Sequence, residues 1–333
     1  MKKKYKFKSI ITGGAGFIGS HLAERLLHDG HEVTVIDNLS TGRLENINKF
    51  FKQITFVKEN ISNYENIKKY FKKVDFVFHT AALADIVPSI NDPVGYFNTN
   101  VKGTLNVLEL SKKNKIKKFI YTASSSCYGI PKKYPTGENE NLDTKYPYAL
   151  SKKMGEDLVL HWGKVYKLKV ISYRLFNVYG VKSRTSGTYG AMFGTFLKQK
   201  INKFPFTVVG DGKQKRDFIY ISDVVDALVR GVKYKKKNIQ IFNVGSGKPV
   251  SINFICKLLN GQIINIPKRP GEPDITFANI KKIKKELNWR PKISIQEGIK
   301  KLLQEIDYWK EAPLWTPNKI KHATKDWFKY LKN

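Results

Sequence analysis

The sequence predicts an α/β protein built on a doubly wound parallel sheet with a smaller carboxyl-terminal lobe, and three observations predict it. Short apolar runs alternate with helical patterns from the amino end to about residue 180. A glycine turn, with Gly13, Gly16 and Gly19 three residues apart, joins the first run to the first helical pattern. The second run closes on a carboxylate, Asp37, 18 positions after Gly19. Such alternation specifies parallel strands covered on both faces, with ligands at their carboxyl ends.

Taken in order, the strands are expected at 7–12, 32–37, 54–58, 76–79, 118–122, 170–175 and 240–244. The first helix follows from Ile18, Leu22, Leu26 and Leu27 at helical spacing. The glycines let the backbone turn sharply and approach a pyrophosphate, which the first turn's free N–H groups and the helix dipole favour. Asp37 can then accept from an adenosine ribose diol. After about residue 180 the alternation weakens into a Gly-rich loop with a helix over 185–200, a strand and turn over 206–212, and Pro-rich pieces near 267–273. This divides the chain into a dinucleotide-binding domain, 1–180 completed by about 217–247, and a substrate lobe, 181–216 and 248–308. A carboxyl-terminal helical tail, 309–333, carries Ile320, Ala323, Trp327 and Leu331 on one amphipathic helix.

The formal charge of +32 raises the question of nucleic acid. All but eight of the 60 basic residues are lysines, scattered along the chain with no aromatic-interleaved groove, so a lysine-rich solvated surface is expected and no nucleic-acid partner. Thr12, Gly13, Gly14 and His21 interrupt any apolar leader, and no run approaches membrane-spanning length, which predicts a cytoplasmic protein. Cys127 and Cys256 are far apart and fit neither a disulfide framework nor a zinc site, so no metal is expected.

Catalytic chemistry is expected from Tyr148-Ala-Leu-Ser-Lys152, opening a helix after Pro147. Four residues apart on one helix face, the Lys152 ammonium can lower the Tyr148 pKa toward that of a general base. Tyr64 with Lys68 and Tyr128 with Lys132 share the spacing, but neither starts a clean helix on the right side of the sheet. The run 119–129 ends in hydroxyls where a parallel sheet presents its site, and Ser124 there can share a proton with Tyr148.

Together these residues resemble the extended short-chain dehydrogenase/reductase family, which has the Rossmann fold, and within it the NAD-dependent nucleotide-sugar epimerases and dehydratases. The resemblance runs through Thr12-Gly-Gly-Ala-Gly-Phe-Ile-Gly19, His79-Thr-Ala-Ala-Leu83, Tyr148 with Lys152, Arg174-Leu-Phe-Asn-Val-Tyr-Gly180, Asn243-Val-Gly-Ser-Gly247 and Arg269-Pro-Gly-Glu-Pro273. It implies NAD contacts at Gly13, Gly16, Phe17, Ile18, Asp37, Asn38, Ser40, Gly42, Ala81, Ala82, Leu83, Asn100, Tyr148 and Lys152. Asn60 and Ile61 stand where the family commonly places an aspartate against adenine. Asp37 would repel a 2′-phosphate and so favours NAD over NADP. For the substrate, Asn177 and Arg216 resemble the diphosphate contacts, Arg269 resembles the arginine that closes over the nucleotide from the small lobe, and Thr276 resembles the small gatekeeper that admits an N-acetyl group.

The family's 4,6-dehydratases resemble one another in an Asp-Glu pair after the catalytic hydroxyl, and its UDP-glucuronate decarboxylases in a glutamate at the second position. This chain has Ser125 and Ser126 there. The resemblance therefore implies inversion at C4 of a UDP-hexose or UDP-N-acetylhexosamine, with dehydration or decarboxylation as the alternatives. A homodimer is implied through helices over 93–112 and 147–165. The contrasting class is a catalytically silent protein that senses dinucleotide or binds RNA.

Overall fold

The structure is a computed structural model and describes residues 6–183 and 191–331. Strands β1 (Phe7–Thr12), β2 (His31–Ile36), β3 (Thr55–Val57), β4 (Phe76–His79), β5 (Lys118–Ser124) and β6 (Val170–Leu175) pair with a seventh, Ile239–Val244. All pairings are parallel, in the order Ile239–Val244, β6, β5, β4, β1, β2, β3. The winding therefore reverses between β1 and β4, where such sheets open a ligand crevice.

The strands are apolar because both faces are covered. Neighbours in β1 separate cleanly: Ile11 enters one core with Leu22, Val35, Phe78 and Leu228, and Ile10 enters the other with Ile36, Val77, Val107 and Val159. Helix α1 (Phe17–His28) and helix Ile221–Lys233 cover the first face; helices Thr104–Lys113 and Pro147–Tyr166 cover the second. A buried ion pair ties the second face to β6. Arg174 places Nε and Nη2 each 2.9 Å from Glu156 Oε2, with the residues 4% and 0% exposed. Arg174 Nη1 also donates to the Tyr128 hydroxyl at 2.9 Å and to the Glu138 carbonyl at 3.0 Å.

Beyond the sheet, three two-stranded pairs build the smaller lobe and its junction: Asn177–Tyr179 with Phe218–Tyr220, Lys215–Arg216 with Val250–Ser251, and Phe206–Val209 with Ile263–Ile266. Asp217, fully buried, knots the junction. Its carboxylate accepts from Ser246 N and Oγ, Gly247 N and Ala278 N at 2.6–3.1 Å.

The structure corrects three sequence expectations. The predicted helix over 93–112 is interrupted: Pro93–Phe97 and Thr104–Lys113 flank a π-helical turn, Asn98–Gly103. At Gly103 a Cβ would lie 2.6 Å from Ile61 Cδ1, so the turn passes too close to the core for a side chain. The single terminal helix is two short ones, Pro317–Ala323 and Lys325–Tyr330, parted at Thr324, whose hydroxyl donates back to the Ile320 carbonyl at 2.8 Å. The basic residues are not evenly spread either. A basin of about 1520 Å³ at the amino ends of the strands is lined by 25 residues, of which twelve are Lys or Arg, interleaved with Phe7, Phe76, Tyr166 and Tyr234. It gathers side chains from segments far apart in sequence. The helix expected over 185–200 is Met192–Ile201 among the described residues, and 184–190 lie outside them. No described helix is long and apolar enough to cross a membrane.

Removing one partner of a buried ion pair strands the other, which costs ~3–5 kcal/mol. Glu156→Ala is therefore expected to lose about that much unfolding free energy in a urea titration, whereas Lys68→Ala, at an exposed pair with Glu65, changes it by less than about 1 kcal/mol.

Candidate active site

At the switch point, the turn after β1 touches the loop after β4. Gly13 has φ +71°, and a Cβ there would lie 2.7 Å from the Ala81 backbone. At Gly19 a Cβ would lie 2.2 Å from the Gly13 carbonyl. Helix α1 starts at Phe17 with Gly16 as its cap and no side chain on its first N–H groups. Those donors, with Gly13, Gly16, Phe17 and Ile18 partly exposed around them, suit an anionic diphosphate.

Asp37 closes the crevice beyond β2. Its carboxylate accepts from Ala15 N at 2.9 Å and Leu39 N at 2.8 Å. Burial pushes its pKa up, and backbone donors from Leu39, Ala15 and Gly16 pull it back. Gly42 packs against this carboxylate, and the exposed Asn38 caps its own turn by accepting from Ser40 N at 3.1 Å. An acidic acceptor beside a bare helix terminus fits a dinucleotide carrying a free ribose diol.

Two positions expected to touch the cofactor are turned inward. The Asn100 side chain, 1% exposed, accepts from Leu83 N and donates to the Leu83 carbonyl and the Ser151 hydroxyl, each at 2.9 Å. It fixes the Ala81-Ala82-Leu83 loop to the Pro147–Tyr166 helix and presents no surface to a ligand. Ile61 is 4% exposed and sits under Gly103, while Asn60 Oδ1 accepts from Ser62 N and Oγ at 2.9 Å.

Ser124 ends β5, and Tyr148 is the second residue of the helix that Pro147 starts. The Ser124 and Ser126 hydroxyls, 2.7 Å from each other, lie near enough to the phenol to favour its ionised form. Its ring is stacked on Tyr146 at 6.5 Å and edge-on to Tyr96 at 6.3 Å. Burial raises the Tyr148 pKa to about 12 against the pull of the two serines. Lys152, 3% exposed, holds its ammonium 4.4 Å from the Tyr121 ring centre, and burial lowers its pKa to about 8. The expected lowering of the Tyr148 pKa by Lys152 is not what this arrangement gives: the serines pull the pKa down, burial outweighs them, and the lysine rests on a neighbouring ring. Cys127 is buried beside this helix, its thiol donating to the Ala149 carbonyl at 3.4 Å.

Across the cleft, Asn177 Oδ1 accepts from the Thr276 hydroxyl at 2.8 Å, and that hydroxyl accepts from Asp217 N at 3.0 Å. Arg216 Nη2 lies 3.1 Å from Glu272, which also faces Arg269 at 3.9 Å. The structure so brings the predicted arginines to one carboxylate. Ser126, Tyr146, Glu272 and Trp327 join the site without having been singled out for it. The motif containing Arg269 was the available signal for Glu272, whereas Trp327 depends on how the tail folds back.

A glycine turn at the reversal of a parallel sheet, with a serine pair and a buried tyrosine where the neighbouring strand β5 ends, defines a dinucleotide-binding α/β protein with hydroxyl-oxidising chemistry. The chain belongs to the NAD dependent epimerase/dehydratase family, which it matches over residues 9–245. It is 35% identical over 310 residues to a UDP-glucuronate 4-epimerase of Thermodesulfobacterium geofontis, covering 88% of this chain and 94% of that one. It is 33% identical over 312 residues to UDP-glucuronic acid decarboxylase 1 of Arabidopsis thaliana, covering 90% and 70%. Among solved structures it resembles the UDP-glucose 4-epimerase of Thermotoga maritima with UDP-glucose, at TM-score 0.84 and 31% identity, covering 91% and 99%.

Beneath the crevice, His79 is fully buried between the Thr12 and Thr104 hydroxyls, at 2.6 and 2.8 Å. Burial, reinforced by the Lys152 charge, lowers its pKa to about 3 from 6.5. Between those values the unfolded chain takes a proton that the native ring refuses, so stability falls as pH drops below about 6.5. Thermal midpoints of wild type and His79→Gln between pH 7.5 and 4.5 are expected to show the steeper acid loss in the wild type.

Proposed function

We propose that the chain is an NAD-dependent epimerase that inverts C4 of a nucleotide sugar, a UDP-hexose or UDP-N-acetylhexosamine, through a transient 4-keto sugar. The observation that carries this reading is the hydroxyl-only set around Tyr148, Ser124 and Ser126, in a chain whose relatives at 31–35% identity include 4-epimerases of UDP-glucuronate and UDP-glucose. Dehydration needs a further acid and base beside the phenol, and Ser125 and Ser126 supply neither. A decarboxylase is among the relatives, but the glutamate its family branch resembles at position 126 is a serine here.

In this reading NAD, when bound, would supply the hydride acceptor and donor for C4. The chain's own residues do the rest. Tyr148 would take the C4 hydroxyl proton, Ser124 and Ser126 would donate to the developing phenolate, and Lys152, one turn on along the same helix, would supply the cation of that face. Gly13, Gly16, Phe17, Ile18, Asp37, Asn38, Ser40 and the Ala81–Leu83 loop would hold the dinucleotide, with Asn100 positioning that loop. Asn177, Arg216, Arg269 and Thr276 would hold the diphosphate and sugar, Arg216 and Arg269 offering planar forks suited to phosphate. The domain of 1–180 with 217–247 would bind NAD and the lobe of 181–216 with 248–308 the substrate.

The partner assignment is a homodimer through the Pro93–Phe97 and Pro147–Tyr166 helices. Its support is their exposed Val94, Leu150 and Met154, at 68%, 40% and 37%, the last two one helical turn apart. Two buried free thiols, Cys127 and Cys256, suit the reducing cytoplasm.

The decisive experiment incubates the NAD-loaded protein with UDP-, GDP-, CDP- and dTDP-sugars and follows products by NMR. A C4 epimer is expected with at least one UDP-sugar, and Tyr148→Phe is expected to lose at least about 10²-fold in turnover while retaining NAD. A keto-deoxy or pentose product instead would overturn the reaction assignment. For the assembly, light scattering is expected to give a dimer that Leu150→Asp splits, and a monomeric wild type rejects it.

A further inference from the structure

The basin at the amino ends of the strands lies on the opposite edge of the sheet from Ser124 and Tyr148, so it can be occupied independently of the candidate active site. Twelve of its 25 lining residues are basic, against 60 of 333 in the whole chain, which makes it a concentration of charge beyond the lysine-rich background. Four of the twelve have partners of their own. Arg25 and Arg230 meet Asp29 and Asp226, Lys112 meets Glu109, and Lys117 meets Asp75. The other eight are all lysines and pair with no carboxylate among the described residues. Of these, Lys115, Lys169, Lys235 and Lys237 lie in loops past the last helical turns, so helix dipoles do not account for them. Lys118 is the buried member, 5% exposed, and donates to the Gly231 carbonyl at 3.2 Å and to the Tyr234 carbonyl. Burial and the charges of Lys169 and Lys235 lower its pKa to about 8, so its own neighbours disfavour a charge that an anion would restore.

We propose that this basin binds a linear inorganic polyphosphate chain, held through its closely spaced phosphate charges. Three features carry the choice of ligand. The cations without a carboxylate are lysines, point charges that lack the planar fork with which arginine orients a single carboxylate or phosphate, so the basin reads charge density. The rings that line it already carry ammoniums. Lys6 and Lys117 lie 5.7 and 5.6 Å from the centre of Phe7, Lys112 lies 4.3 Å from that of Tyr166, and Lys118 lies 5.9 Å from that of Tyr234, while Phe76 is only 5% exposed. A nucleobase stacking there would have to displace a lysine, whereas a phosphate meets ammoniums that the rings have already positioned. The walls curve around about 1520 Å³, which a flexible chain can enter and a stiff duplex cannot follow.

The test is fluorescence anisotropy of end-labelled inorganic polyphosphate titrated with the NAD-loaded protein at about 0.15 M salt. Saturable binding is expected, with an affinity that falls at least about tenfold between about 50 and 200 mM salt. Reversing three basin charges together, Lys115→Glu, Lys169→Glu and Lys235→Glu, is expected to weaken binding at least about tenfold. A control that reverses three exposed lysines outside the basin, Lys52→Glu, Lys257→Glu and Lys300→Glu, makes the same change in net charge and is expected to cost less than about threefold. If the basin variant does not fold, Lys115→Gln, Lys169→Gln and Lys235→Gln carry the test, with an expected loss of at least about threefold that the control positions do not share. An oligoadenylate with as many phosphates is expected to bind more weakly than the polyphosphate. Equal losses at basin and control positions, an oligoadenylate that binds as tightly or more tightly, or a wild type that does not bind polyphosphate overturns the proposal. None of these outcomes touches the epimerase reading, which the sugar products decide.

Discussion

No side chain fits between the turn after β1 and the loop after β4, and the rest of the site is arranged around that closeness. With a Cβ at Gly13 placed 2.7 Å from the Ala81 backbone, the two loops meet main chain to main chain. That contact leaves the first turn of α1 bare, sets Ala81 to Leu83 along one wall, and puts Asp37 at the far end of the same crevice. Parallel winding supplies the remainder, because β5 and β6 deliver Ser124 and Asn177 to the same edge of the sheet.

The central strands were legible because they are largely buried on two faces and read as short runs rich in apolar and β-branched residues. Their observed limits differ from the expected ones by no more than two residues, the largest difference being at the end of β5, which reaches Ser124. The small lobe was less legible, since its pairs such as Lys215–Arg216 with Val250–Ser251 are two residues long and joined only by tertiary contact. Asn100 was readable as a conspicuous polar residue in a motif, yet its role depends on a π turn that no local spacing announces. The lysine basin escaped for a related reason. Lys6, Lys118, Lys169 and Lys235 are far apart in sequence and meet only where the amino ends of the strands converge. The split of the tail at Thr324 was hidden because Ile320 and Trp327 keep helical spacing across the break, and both are buried.

The environment of Tyr148 explains what a dinucleotide must contribute. Desolvation dominates and holds the phenol near a pKa of 12, while the Lys152 charge lies over the Tyr121 face. A serine pair alone does not reverse that balance. The cationic ring of an oxidised nicotinamide would add the missing positive charge, which links proton removal to the presence of the oxidant. Burial serves the same end from the other side, since a dry site makes each added charge count for more.

The Asn100 clamp has a consequence for residence time. One amide grips both backbone polar groups of Leu83 and the hydroxyl of Ser151, the residue before Lys152, so the Ala81–Leu83 loop and the Pro147–Tyr166 helix are tied together. With a dinucleotide along that loop, as proposed, letting it out by swinging the loop would break three hydrogen bonds, the one to Ser151 buried, and disturb the helix of Tyr148 with them. Such a design suits a reaction that returns every hydride it borrows. A cofactor regenerated within each cycle has no reason to depart, and the architecture treats it as a resident part instead of a passing reagent.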